Sequence, residues 1–406
     1  MPPQPVIILG SGIAGLTLGR CLSQKGIPSI IYERATSSPR HNYGITLHEW
    51  AYNPLLQALK VDEHTFRRRI AVDSLYHAGT GKIHAEGSTL SRDDSSRSFR
   101  ANRSNLEQLL REGQNIKWEH TLTQAQASSD GGGSTSLTFQ NNLKTNSSFI
   151  VDTLGVHSQL RKLLLPNHHP KALPYVVFSG KRNITHDQFL KIYAPHFKDA
   201  NTLTLTLKSI ANDTNQSLLL LQIWINDHLP NSDIEITYVY SRAARLPADP
   251  LHNPTRPLSA APSIPPSFFP EIDSLSTHPD LQEPFLTTFS PSNIHLDRDR
   301  LLHWLMRTLL IPAPSLNNLF ADSGVAIIGD SAHAMPVLGG EGANHAMRDG
   351  VDLAGWIASG TAAAGKIGTR RESVAMEGFY EKCEGRWREG VRESGERIES
   401  LHSSAA

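Results

Sequence analysis

The chain has 406 residues, with 39 basic and 39 acidic side chains and a formal net charge of zero, so neither a nucleic-acid surface nor an anionic-membrane surface is advertised. Two cysteines, Cys21 and Cys383, exclude a disulfide framework and fit a reducing, cytoplasmic setting. The length implies two cooperating domains, and the longest apolar run, Leu218 to Ile225, is too short to span a bilayer. The chain enters a core-type strand directly, without a signal-type segment.

That strand, Val6 to Leu9, runs into Gly10-Ser11-Gly12-Ile13-Ala14-Gly15, and the helical spacing of Leu16, Leu18, Cys21 and Leu22 makes the unit strand-turn-helix. Gly10 permits the tight turn, Gly12 lets a pyrophosphate approach the backbone, and Gly15 lets helix and strand pack closely. The anion sits on free N–H groups at the positive end of the helix, with Ile13 and Ala14 in its first turn. A second strand, Ser29 to Tyr32, ends at Glu33, where a carboxylate accepts from an adenosine ribose and argues against a 2′-phosphate. Arg34 and Gly44 join this cofactor-binding set. The plainer alternative is a glycine turn that serves only packing.

Residues 71 to 100 read as short strands and loops, with a polar excursion from Ser91 to Ser98. Asp130-Gly131-Gly132-Gly133 marks a hairpin turn. Four runs from Tyr175 to Phe178, Thr202 to Leu207, Leu218 to Ile225 and Ile234 to Tyr240, separated by polar turns, imply an antiparallel sheet. Residues 247 to 284 are rich in Pro and Ser and read as a loop with a short helix near Phe268 to Leu275. The strand Gly324 to Ile328 then leads into Gly329-Asp330-Ser331-Ala332-His333-Ala334-Met335-Pro336 and Gly339-Gly340-Glu341-Gly342-Ala343-Asn344. Asp330 can accept from a ribityl hydroxyl, Pro336 stiffens the turn, and the N–H groups of Gly342, Ala343 and Asn344 can hold negative charge. A ligand-free strand-to-helix loop is the alternative. Met376, Tyr380, Cys383, Trp387, Val391 and Ile398 mark a core-packed terminal helix.

These motifs resemble, over nearly the whole chain, a class A FAD-dependent monooxygenase of the p-hydroxybenzoate or salicylate hydroxylase type, in its fungal secondary-metabolism branch. Two further segments carry the resemblance. Gly155, His157, Ser158 and Arg161 match the family's middle motif, with Leu154 where an Asp is expected. Arg103, after Arg100-Ala101-Asn102, matches the arginine that reaches FAD, although it also reads as a surface residue beside a helix cap. Glu341 stands where the family has Gln, and is expected to face away from the flavin.

The resemblance implies an α/β fold, a Rossmann-like FAD-binding domain interleaved with a smaller antiparallel-sheet substrate domain and a C-terminal helix. The boundaries expected are 1–70, 100–171 and 291–373 for the FAD domain, 71–99 and 172–290 for the sheet domain, and 374–402 for the helix. The implied activity uses NAD(P)H and O2 to hydroxylate or epoxidise a small aromatic or polyketide- or alkaloid-like metabolite through a flavin C4a-hydroperoxide. No metal is called for. Candidates for activating the substrate are Arg182, Tyr240 and His48, with Tyr193 and Tyr238 behind them, each with a structural alternative. A flavin oxidase, a non-redox cyclase that keeps flavin as a scaffold, and a non-catalytic flavin-binding protein stay open. So does the oligomeric state.

Overall fold

Strand Val6–Leu9 is apolar on both faces, which suits the centre of a parallel sheet covered by helices on both sides. It pairs in parallel with Ser29–Tyr32 on one side and Ile150–Asp152 on the other. Val325–Ile327 and Ile116–Lys117 complete a five-stranded parallel sheet. The computed structural model that shows this describes residues 4–39, 41–74, 79–84, 97–128, 133–208, 218–228, 233–294, 296, 299–364 and 370–403. Helices Ile13–Gln24 and Gly342–Ala364 pack on each other beside the sheet. The terminal helix Arg370–His402 inserts Met376, Tyr380, Cys383 and Trp387 into the same core. A three-stranded antiparallel excursion, Leu122–Ala127, Thr135–Phe139 and Lys144–Ser147, leaves this domain where the hairpin was expected. The expected turn residues Asp130 to Gly132 lie outside the described residues.

The second sheet is antiparallel in the order Thr202–Lys208, Leu218–His228, Ile234–Ala243, Tyr175–Ile184, Leu302–Trp304. The last strand lies beyond residue 290, so the sheet reaches further along the chain than its four alternating runs indicate. A two-stranded ribbon, Lys171–Ala172 with Arg307–Thr308, marks where the chain leaves and re-enters the parallel-sheet domain.

Strand alternation gives the antiparallel sheet two faces. One carries Val176, Phe178, Ile223, Ile236, Tyr238 and Tyr240 under helix Phe268–Leu275 and the turn Phe285–Thr288. The other carries Val177, Val239, Trp224 and Trp304, which meet Leu338 of the second glycine loop and Ile398 of the terminal helix. Among the described residues it is this second face that looks onto the parallel-sheet domain.

Candidate active site

The first glycine turn is shaped by sterics that differ at each glycine. Gly10 has φ +104°, and a Cβ there would lie 2.6 Å from the Thr153 carbonyl oxygen; one at Gly15 would lie 2.1 Å from the Gly10 oxygen. At Gly12, with φ −77°, a Cβ would meet nothing within 4 Å. Gly10 and Gly15 therefore serve the fold, whereas Gly12 borders open space at the mouth of helix Ile13–Gln24, whose first-turn N–H groups, including those of Ile13 and Ala14, lack intrahelical acceptors. Glu33 accepts from the Ser11 N–H at 2.8 Å, the Ser11 hydroxyl at 3.0 Å and the Ala35 N–H at 2.9 Å, and is buried beside the turn. Arg34 next to it is exposed.

The second glycine loop packs onto the first. An added Cβ at Gly329, with φ +63°, would stand 3.0 Å from the Ala14 Cβ. Asp330 follows, its carboxyl pushed up by burial while His333 and Arg103 pull it back. Arg103, 227 positions earlier in the chain, is thus brought beside Asp330; burial alone would lower its guanidinium, but Tyr43 and Glu107 raise it overall. After the buried Pro336, helix Gly342–Ala364 begins, so the N–H groups of Gly342, Ala343 and Asn344 are first-turn groups facing the same region. The Asn344 side chain accepts from the His48 N–H at 2.9 Å and donates to the Thr46 carbonyl at 3.1 Å. Gly44 is held on the same hairpin, its N–H bonded to Asn226 Oδ1 at 3.1 Å.

Glu341 meets His48 Nε2 at 3.2 Å and Arg397 of the terminal helix at 3.3 Å; burial would raise its carboxyl, and His48 and Arg397 hold it below the ordinary value.

The middle motif is pinned to the second loop by a residue that the motif comparison passed over. Asp152 accepts from the Leu154 N–H at 2.9 Å, the Ser331 hydroxyl at 3.1 Å and the Ser158 hydroxyl. Arg161 donates to the Ser331 carbonyl at 2.8 Å and the Val156 carbonyl at 2.6 Å. Leu154, in place of the expected acid, leaves this clamp intact because Asp152 supplies the carboxylate from two positions upstream. Its signal was a buried-type strand ending in Asp.

Between the domains lies a cavity of about 210 Å³. Asp330, Ala334, Met335 and Val337 line one side, Val156 and His157 a second, and Arg256, His303, Trp304 and Arg307 a third. Arg256 donates to the His303 carbonyl and Arg307 to the Leu305 carbonyl at 3.5 Å, and neither has a carboxylate within 4 Å among the described residues. Burial and then Arg307 push His157 down to about 4. The wall is therefore a cluster of uncompensated positive charge.

The three candidates for substrate activation part company. Arg182 forms an ion pair with Asp299 at 2.6 Å, and Tyr238 donates to the same carboxylate at 2.7 Å; Tyr240 donates to Glu271. All three lie on the sheet face under helix Phe268–Leu275, so strand alternation turns Arg182 and Tyr240 away from the cavity. Tyr193 is buried on that side too, bonded to Thr288. Sequence alternation had placed Tyr238 and Tyr240 on one face but carried no signal for which face. His48 alone is beside the glycine loops, held through Nδ1 to the Ser98 hydroxyl at 2.7 Å and through Nε2 to Glu341.

A parallel sheet whose two glycine loops meet at its strand ends, with an antiparallel sheet lying over them, is an arrangement that holds a dinucleotide cofactor. Residues 279–368 match the family model described as the FAD binding domain. FAD-dependent monooxygenase nscC of Trichophyton rubrum is 30% identical over 100% of this chain and 96% of its own, and adaC of Aspergillus niger is 31% identical over 98% and 93%. The chain belongs to the class A FAD-dependent monooxygenase family, with FAD as its cofactor. Among solved structures, 2,6-dihydroxypyridine-3-hydroxylase of Arthrobacter nicotinovorans shares the fold at TM-score 0.68 and 15% identity, covering 99% of this chain and 95% of its own. Klebsiella pneumoniae HpxO, complexed with FAD and uric acid, does so at 0.63 and 15%, covering 98% and 88%.

Proposed function

We propose that the protein uses NAD(P)H and O2 to place one oxygen atom on a small, planar, aromatic or polyketide-like substrate, the second oxygen leaving as water. The observation that carries this reading is the interdomain cavity, with Asp330 on one side and Arg256, Arg307 and His157 on another. Bound FAD would supply the electron transfer and oxygen activation. Gly12 and the N–H groups of the first helix would receive its pyrophosphate, and Asp330 a ribityl hydroxyl. The first-turn N–H groups of Gly342 to Asn344 would hold charge on the reduced ring. The cationic wall of Arg256 and Arg307, across the cavity from Asp330, suits the phosphates of a nicotinamide dinucleotide. Trp304, Met335 and Val337 give the cavity an apolar lining on which a ring substrate can pack. His48 stands ready beside the loop to move a proton between Ser98 and Glu341.

Uric acid in HpxO, and the tetracycline of destructases that share this fold at TM-scores of 0.62 and 0.57, are oxygen-rich ring systems, and a planar ring system fits a slot between a tryptophan-bearing sheet and a glycine loop. The test is anaerobic titration of holoprotein with NADPH and NADH, following oxidised-flavin absorbance with and without candidate aromatic substrates. Bleaching that accelerates with substrate supports the monooxygenase. Flavin that stays oxidised throughout would favour the oxidase, scaffold or binding-protein alternatives.

A further inference from the structure

Several arginines of this protein pair with carboxylates: Arg182 with Asp299, Arg242 with Asp249 and Glu271, Arg103 with Glu107. The fully buried Arg161 bonds only carbonyls but feels the charge of Asp152. Arg100 has neither kind of support. It is 6% exposed on strand Phe99–Asn102, and its guanidinium has five N–H donors. These serve the Gly44 carbonyl at 2.6 Å and the Thr46 hydroxyl at 3.1 Å, and Nε is buried with no partner. Among the described residues no carboxylate opposes the burial that pulls Arg100 down to about 9, so it stays charged at neutral pH. His84 nearby offers no compensation, being itself pushed towards the neutral form by burial and by Arg100. A buried cation without a counter-charge is costly, and an anion brought by a ligand would offset that cost.

The surroundings say what kind of anion. The guanidinium carbon lies 5.2 Å from the ring centroid of Trp224, on the sheet face that looks onto the glycine loop. Trp224 and Trp304 pack against one apolar cluster with Leu338, and Trp304 lines the interdomain cavity. Gly44 keeps the cation in place, because a Cβ there would stand 2.7 Å from Arg100 Nη2 and 3.1 Å from the Ile225 carbonyl oxygen.

We propose that Arg100, stacked on Trp224, is the anion-recognition residue of the substrate site, and that the substrate is a planar ring system bearing an oxyanion, carboxylate or enolate. This rests on the monooxygenase reading for the word substrate, but the anion site is tested independently of turnover. FAD-loaded protein is titrated with 1-hydroxy-2-naphthoate and with its neutral amide, following the flavin difference spectrum and tryptophan fluorescence. The carboxylate is expected to bind roughly tenfold or more tightly than the amide, as a charge-assisted contact to a desolvated guanidinium requires. Arg100→Met should abolish that preference while leaving amide affinity within about threefold, and Arg100→Lys should keep part of it. The acid-to-amide ratio of the unaltered protein keeps the test valid if Arg100→Met misfolds.

Equal binding of acid and amide, binding of neither, or an unchanged ratio in a folded, flavin-loaded Arg100→Met protein would overturn the proposal. So would a variant that loses FAD affinity but keeps the ratio, since the anion would then be the cofactor's. Failure of NAD(P)H to reduce the flavin would sink the monooxygenase reading alone and leave the ratio measurable.

Discussion

At the scale of single residues, the three glycines of the first turn separate folding from binding. Gly12 already has a φ that alanine adopts, and its Cβ would enter open space, so Gly12→Ala should change stability by no more than about 1 kcal/mol. The same methyl stands where a pyrophosphate would lie, so FAD affinity should drop at least tenfold. Gly10→Ala, with φ +104° and a carbonyl oxygen 2.6 Å away, should instead lose the fold. Thermal melts of apoprotein beside FAD fluorescence titrations check the contrast, and a Gly12→Ala protein that stays fully flavin-loaded would refute it. His157 gives a second residue-scale test. Burial and then Arg307 hold its free value at about 4, so it is neutral at pH 7, and a phosphate bound beside it would raise that value. Binding then takes up protons as pH approaches the raised value, and NADPH affinity should strengthen as pH falls from 7 towards 5. His157→Gln should flatten that slope in stopped-flow measurements of flavin reduction.

At the scale of elements, the terminal helix holds the second glycine loop from behind. Asp349, on helix Gly342–Ala364, accepts from the Gly329 N–H at 2.9 Å, His333 at 2.5 Å, Trp387 Nε1 at 2.8 Å and Arg386 at 3.0 Å. Replacing Trp387 by Phe keeps most of the buried volume and removes one charge-assisted donor, for a loss of about 1.5–3 kcal/mol. Denaturant melts should show that loss with an unchanged slope.

These elements were largely legible in the sequence because their signals are local. Glycine turns, a strand ending in Glu33, alternation from Tyr175 to Tyr240 and the helical spacing from Met376 to Ile398 each depend on neighbours in the chain. What stayed hidden depends on pairing across the fold. Nothing in Leu302-His303-Trp304 announces a fifth strand, since three residues have no period to read. Alternation shows that Tyr238 and Tyr240 share a face, but the side that meets the flavin loop is set by where Leu338 and Ile398 pack. Arg100 drew attention only as a neighbour of Arg103, because a missing counter-charge is visible only once everything around it is in place.

At the scale of the whole molecule, contacts at several points join the two domains, three of them polar links far apart in the chain. These are the ribbon of Lys171–Ala172 and Arg307–Thr308, the buried Asn226 that bonds Gly44 on one side and Thr237 on the other, and the end of the terminal helix, where His402 meets Ser241 at 2.8 Å. Each domain also carries an acid whose ionised form the fold stabilises. Burial would raise Asp249 in the substrate domain, but Arg242 and the N–H groups of Arg245 and Leu251 hold it down at about 2. In the flavin domain burial likewise opposes ionisation of Asp349, and His333, Arg386 and Trp387 hold it well below the ordinary carboxylate range. A depressed acid contributes stability that is present above its unfolded value near 3.9 and is lost as pH falls through the folded value. Asp330 and Asp152 have the opposite sign, since burial raises both. Three buried histidines outweigh them above pH 4: His157, His303 and His345 are held down at about 4, so the unfolded chain, with imidazoles near 6.5, takes up those protons first. The apoprotein should therefore lose melting temperature as pH falls from 7 towards 4, and lose more below pH 4 as Asp249 and Asp349 take up protons. His303→Gln should shallow the first loss and Asp249→Asn the second. Calorimetric scans at half-unit pH steps decide it, and a melting temperature that stays level from pH 7 to pH 5 would show that the three histidines are not held neutral by the fold.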